Sequence, residues 1–213
     1  MAKLYFTYSA MNAGKSAMLL QAAHNYREQG MAVMLWTSSH HAPDARASTG
    51  EIESRIGLRA PARVFRPGTD LHAAIAAEAA NGLDVVFFDE AQFLTRDQVW
   101  ALARVCDDLD IPVLCYGLRT DFQGRLFEGA AELLAIADAL REARTICWCG
   151  RKATMNLRVD ASGKAITEGE QVGVDKARYA PLCRKHFREA LETSGESGRL
   201  ALEDDADGHA AAS

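Results

Sequence analysis

The sequence predicts an α/β fold, a mainly parallel sheet flanked by helices, with a small β module near the C-terminus. Three observations predict it. Apolar runs alternate with helically spaced segments over the first 145 or so residues, the order that builds parallel sheets. One run, Leu83-Asp84-Val85-Val86-Phe87-Phe88, is apolar almost throughout, as in a strand buried on both faces. The polar segments Ser9–Ser16, Asp89-Glu90 and Gly117–Phe122 each follow such a run, so one cleft beyond the carboxyl ends of the strands collects them.

The elements follow in order. Leu4–Tyr8 reads as a buried strand, and Met18, Leu19, Leu20, Ala22 and Ala23 mark one face of a first helix. Val33–Thr37 is a second strand. From His40 to Arg59 no period is visible, which suggests a long polar loop with a functional role. Within it Arg46 could meet a phosphate and Asp44 a water-bridged Mg²⁺, although a solvated loop is the plainer reading of both. Ala62–Phe65 fits a short strand. Asp70–Asn81 is a helix with Leu71, Ile75 and Ala79 on one face, ended near Gly82. Thr95-Arg96-Asp97-Gln98 is a capping box opening a helix through Val99, Leu102, Ala103 and Val105 to about Asp108. Ile111–Tyr116 is a buried strand, and a loop from Gly117 to Gly129 leads to a helix over Ala130–Ala139. Arg144–Cys147 is expected as the last strand of the layer. Beyond it, Thr154–Val159 and Lys164–Thr167 read as a hairpin around Asp160–Gly163. A loop from Glu168 to Tyr179 and a short helix to about Thr193 complete the chain. The expected division is 1–145, an α/β nucleotide-binding domain, 146–193, a metal-binding and substrate-covering module, and 194–213, an acidic tail.

Composition narrows the function classes. The 213 residues are 48% apolar, enough for one sizeable core. There is no apolar run of about 18 residues, and the chain enters a strand at once, so a cytoplasmic protein without a membrane span or secretory leader is expected. The net charge is −5, most of it in the tail, where Glu196, Glu203, Asp204, Asp205 and Asp207 face a single Arg199. The tail is expected to be disordered and solubilising. The near-neutral body offers no electrostatic footprint for nucleic acid. Five cysteines argue against a disulfide framework, and Cys106 and Cys115 sit in apolar surroundings as core residues.

Three constellations carry chemistry. Ser9-Ala10-Met11-Asn12-Ala13-Gly14-Lys15-Ser16 lies between a strand and a helix, the context of a phosphate-binding P-loop, with Ser9 where the usual pattern has its first glycine. The helix N-terminus attracts the anion, Gly14 lets the backbone curl around it, Lys15 reaches the terminal phosphates and the Ser16 hydroxyl suits Mg²⁺. Asp89 and Glu90 close the central strand on opposite sides, Asp89 suited to Mg²⁺ and Glu90 to accepting a hydroxyl proton, with Gln92 a hydrogen-bonding neighbour. Cys147-x-Cys149 and Cys183-x-x-His186 supply the four soft ligands of a closed, structural Zn²⁺ site. His24, His40, His41, His72 and His209 have no ligand spacing.

In this order, Ser-Ala-Met-Asn-Ala-Gly-Lys-Ser, Phe-Asp-Glu-Ala-Gln-Phe, Tyr-Gly-Leu-Arg-Thr-Asp-Phe and the four-ligand site strongly resemble the type II thymidine kinases, the bacterial branch above all, from about Lys3 to Leu191. The resemblance implies ATP-dependent phosphorylation of thymidine to dTMP, in nucleotide salvage for DNA synthesis. It implies Glu90 as the base for the 5′-hydroxyl, with Ser9–Ser16 and Asp89, Glu90, Ala91 and Gln92 at the ATP site. It implies Met11, Phe93, Leu118 and Phe122 around thymine. It also implies a covering loop at Glu170, Gln171, Val172, Gly173, Val174 and Tyr179, although Val172–Arg178 departs from the family's Gly-Gly pattern. A homotetramer and feedback inhibition by dTTP are further family expectations. The residues alone leave three rivals: a kinase for another nucleoside, a nucleic-acid-binding P-loop ATPase with a zinc ribbon, and a P-loop switch.

Overall fold

The computed structural model describes residues 1–41, 47–171 and 178–193. A seven-stranded sheet forms its centre, in the order β3-β4-β2-β5-β6-β1-β7. The strands are β1 (Leu4–Ser9), β2 (Val33–Ser38), β3 (Thr49–Glu53), β4 (Arg59–Phe65), β5 (Val85–Phe88), β6 (Val113–Leu118) and β7 (Ala139–Glu142). All neighbours are parallel except β3, which runs antiparallel to β4. Four helices cover the sheet: α1 (Lys15–Glu28), α2 (Leu71–Ala79), α3 (Arg96–Leu109) and α4 (Glu128–Ile136).

The continuous apolar run predicted a two-sided strand, and all four residues of β5 are buried. Alternation then deals them to opposite faces. Val86 and Phe88 join Leu4, Phe6, Val113 and Cys115 against α2, α3 and α4. Val85 and Phe87 join Leu35 and Tyr116 against Leu19, Leu20 and Ala23 of α1. Cys106 and Cys115 are core residues, as expected, and burial pushes both thiols up, Cys106 to about 12. Helix starts follow local chemistry. The capping box at Thr95 and Gln98 opens α3, and Asp70 caps α2 by accepting from Ala73 N at 3.0 Å.

Three expectations are corrected. The segment from His40 to Arg59 is not wholly loop, because Thr49–Glu53 pairs with β4 as an edge hairpin. Only Ile52 of that strand is buried, so its alternation is too weak to read. The last strand of the sheet is β7, where a helix end was expected. Thr145–Ile146 (β8) instead pairs with Lys152–Ala153 (β9) in a separate ladder. With its two central residues exposed, β7 carries no apolar run, and only pairing with β1 defines it. Finally, Met155–Val159 (β10) pairs with Arg178–Leu182 (β11) rather than with Lys164–Thr167. The turn at Asp160 forms, but the expected second strand is reduced to a bridge between Val159 and Ala165. A third apolar cluster, including Leu157, Val159, Leu182 and Phe187, packs β10 and β11 under α5 (Arg184–Thr193).

No helix among the described residues is long and apolar enough to cross a membrane. The expectations for Asp44, Arg46, Val172, Gly173, Val174 and the tail from Ser194 onward lie outside the described residues.

Candidate active site

The carboxyl ends of β1, β5 and β6, adjacent in the sheet, open into a cavity of about 520 Å³. Its wall holds Met11–Ala17 from the P-loop and Glu90, Gln92 and Phe93 from the turn after β5. Leu118, Thr120, Asp121 and Phe122 from the loop after β6 line it too, as do Asn156, Gln171 and Tyr179 from the C-terminal module. A site of this size suits a small organic ligand.

The P-loop enters α1 through left-handed backbone at Asn12 (φ 61°) and Gly14 (φ 75°). A Cβ on Gly14 would meet no protein atom within 4 Å, so conformation is what calls for glycine there. Lys15 is buried, and burial lowers its pKa against the raising influence of Glu90 and Asp89. Its ammonium donates to Ser9 Oγ at 2.9 Å and to Ala10 O at 3.2 Å. Ser9, in the place of the usual first glycine, therefore cradles the lysine from behind rather than lining the cavity.

Ser16 Oγ donates to Asp89 Oδ2 at 2.9 Å. The other carboxylate oxygen of Asp89 is buried and, among the described residues, has no hydrogen-bond partner of good geometry. Burial, reinforced by the negative charge of Glu90, pushes Asp89 up from 3.8 to about 6. A hydroxyl bonded to a carboxylate with an oxygen to spare fits a hydrated Mg²⁺.

Asp89 and Glu90 diverge for a reason other than strand alternation. The strand ends at Phe88, and Glu90 adopts left-handed backbone (φ 54°) before a 3₁₀ turn over Ala91–Phe93. An L-residue held there stores roughly 1–2 kcal/mol of strain. Asp89 thus faces Ser16, while Glu90 faces the cavity. Gln92 holds Glu90 in place. Its Nε2 donates to Glu90 Oε2, and its Oε1 accepts from Leu118 N at 2.9 Å. Ala91 is fully buried and packs rather than lines.

Phe93, Leu118, Phe122 and Met11 all line the cavity. Phe93 is braced by Phe127 in a T-shaped contact at 5.6 Å, and Phe122 lies under the Arg158 guanidinium at 5.3 Å. Glu170 does not line the cavity; its carbonyl accepts from Arg158 Nη1 at 3.5 Å. Gln171 does line it and donates to Asp121 Oδ2 at 2.9 Å.

Sequence reasoning missed several residues. Asn156 is 1% exposed and ties three segments together. Its Oδ1 accepts from Met11 N at 2.7 Å and its Nδ2 donates to Thr120 O at 2.9 Å. A lone Asn between apolar strand residues carries no signal of such a bridge. The tip of the β3–β4 hairpin, Glu53–Ile56, was missed because the hairpin itself was not seen.

In the C-terminal module, the donor atoms of Cys147, Cys149, Cys183 and His186 all lie within 4.8 Å of one another. Cys147 Sγ is 3.3 Å and Cys183 Sγ 3.5 Å from His186 Nδ1, while Cys149 and Cys183 are 4.0 Å apart. Ligands about 2.3 Å from a shared Zn²⁺ stand roughly 3.7 Å apart, so the spacing and the donor set both fit zinc. Trp148 stacks on the His186 ring at 4.1 Å and fixes its orientation.

A P-loop, a carboxylate bonded to its serine and a second carboxylate turned into an apolar-walled cavity are the parts of an α/β phosphoryl-transfer enzyme. The family model for thymidine kinase matches residues 2–187. The chain is 60% identical over 200 residues to the thymidine kinase of Ruegeria pomeroyi, covering 93% of this chain and 100% of the relative. It is 62% identical over 193 residues to that of Novosphingobium aromaticivorans, covering 90% and 99%. It is 55% identical over 205 residues to that of Mesorhizobium japonicum, covering 96% and 97%. The chain belongs to the thymidine kinase family.

Proposed function

We propose that this enzyme transfers the γ-phosphoryl group of ATP to the 5′-hydroxyl of thymidine, giving dTMP and ADP. The observation that carries the reading is the placement of Glu90, whose carboxylate shares one cavity with the P-loop and with Met11, Phe93, Leu118 and Phe122. A base, an anion cradle and an apolar slot for a flat ring are what a nucleoside acceptor requires. The many relatives named thymidine kinase support the choice of acceptor.

In this reading the amides of Asn12–Ser16 and the Lys15 ammonium take the donor phosphates, with Ser9 and Ala10 behind the lysine, and offset charge gained by the transferred group. Ser16 and Asp89 would hold Mg²⁺, which would supply positive charge against the donor phosphates. Glu90 accepts the proton of the 5′-hydroxyl, held on target by Gln92. Phe93 and Phe122 flank the base beside Met11 and Leu118. Gln171 and Tyr179 border the ring from the C-terminal module and help exclude water.

The same reading divides the chain at about residue 145, with residues 146–193 stapled by Zn²⁺ on Cys147, Cys149, Cys183 and His186. A homotetramer in the cytoplasm, with no nucleic-acid or membrane partner, completes it. The deciding experiment is a panel of nucleosides supplied with ATP and Mg²⁺. Thymidine should be the preferred acceptor. Equal rates with purine nucleosides, or ATP turnover indifferent to thymidine, would reject the assignment.

A further inference from the structure

The hairpin formed by β3 and β4 brings a cation to the cavity that the reading above does not use. Arg55 sits at its tip and lines the cavity together with Lys15, Ser16, Glu90 and Gln92. The tip is built to hold its shape. Ser54 is buried, its Oγ accepts from Leu58 N at 2.9 Å, and the turn closes through Gly57 in left-handed backbone (φ 84°). Five residues of β3 paired with five of β4 fix the base of the hairpin.

Arg55 differs from its neighbours in its surroundings. Arg59 pairs with Glu51 and Glu53, and Arg63 with Glu78. No carboxylate, ring or hydrogen-bond partner holds Arg55 among the described residues. It is nonetheless near enough to Lys15 for its charge to help lower the pKa of that ammonium. Two cations turned toward one space, one of them unpaired, make a position for an anion. A triphosphate with one divalent cation adds a charge of about −2, which falls between Lys15 and Arg55.

Resting on the kinase reading, we propose that Arg55 is a catalytic residue that binds the terminal phosphoryl group of the donor from the side opposite the P-loop. Its guanidinium offers paired N–H donors to the equatorial oxygens, the geometry for which arginine surpasses lysine. Ile56, 75% exposed beside it, supplies an apolar cap over the same position.

The test uses full-length Arg55→Gln and Arg55→Lys, with Arg59→Gln as a control on the same hairpin outside the cavity. Steady-state rates are measured with thymidine. Affinities are measured by calorimetry for ADP and for a triphosphate analogue with a β,γ-imido bridge. Arg55→Gln should lower kcat/KM for ATP by about 10²-fold or more, the scale of a charge-stabilising arginine in phosphoryl transfer. It should weaken the analogue at least about tenfold and leave ADP and the KM for thymidine within about twofold, because only the terminal phosphate is contacted. Arg55→Lys should recover part of the loss, and Arg59→Gln should match the unaltered protein. Equal weakening of ADP and the analogue, or an unchanged rate in Arg55→Gln, overturns the role of Arg55. An unaltered protein that binds the analogue but ignores thymidine overturns the acceptor reading, while the binding comparison still decides whether Arg55 meets the terminal phosphate.

Discussion

Gly129 makes the packing of the site testable by one methyl group. It is the second residue of α4, and a Cβ there would lie 2.6 Å from Leu94 O, 2.7 Å from Ala91 O and 3.0 Å from Gln92 O. Comfortable carbon–oxygen contacts start at about 3.3 Å. All three neighbours are backbone atoms, so Gly129→Ala must move either α4 or the Ala91–Leu94 turn by roughly half an ångström or more. Overpacking of this kind costs about 1–3 kcal/mol. Alanine's better helix propensity returns up to about 1 kcal/mol. A net loss of about 1–2 kcal/mol should lower Tm by roughly 2–8 °C for a chain of this length. The same turn carries Gln92, which orients Glu90, so kcat should fall as well, by about tenfold or more, since a base displaced by 1 Å can lose roughly 10²-fold. Thermal unfolding followed by circular dichroism and a thymidine-dependent ATP assay measure the two effects. Gly68→Ala is the control, because no atom lies within 4 Å of its Cβ. A Gly129→Ala protein with unchanged Tm and kcat would show that α4 does not press on the turn as described.

Other outcomes follow from the same geometry. Glu90→Gln should fold normally and turn over at least about 10²-fold more slowly, as expected for loss of a general base; a near-normal kcat would remove Glu90 from that role. Asp89 titrates at about 6, above its ordinary 3.8, so the folded state binds the extra proton. The stabilising contribution of this group is full below pH 4 and is lost as pH rises through 6. Asp89→Asn should therefore gain stability over the unaltered, ligand-free protein between pH 4 and 7, by at most about 3 kcal/mol. Urea titrations at several pH values check this, and a gap that does not change with pH would contradict it. The unaltered kinase should also lose kcat/KM for ATP as pH falls through 6, because in the ligand-free enzyme protonation removes the carboxylate that faces Ser16. Chelation, or Cys183→Ser, should unfold the C-terminal module and change the fluorescence of Trp148, which stacks on His186. Metal-free protein with unchanged fluorescence and Tm would refute a structural metal there.

Much of the molecule was legible because its signals are local. The strand–loop–helix of the P-loop, the buried run of β5, the capping box of α3 and the paired Cys and His spacings each lie within a few residues. Local spacing sets backbone conformation directly, and so the sequence alone determined the α/β class, the phosphate loop and the cluster of soft ligands. Tertiary structure decided whatever depends on residues distant in the chain. The exposed edge strands β3 and β7 have too few buried side chains to show a period, and pairing with β4 and β1 defines them. The partner of β10 proved to be a segment about 20 residues further along, which no turn signal could indicate. Asn156 reaches the P-loop across 145 residues of chain, and Arg55 shares a cavity with Lys15 only because the β3–β4 hairpin carries it there. Short-range rules govern the backbone, whereas the convergence of side chains on one cavity depends on how the layers pack, and no window of sequence contains that.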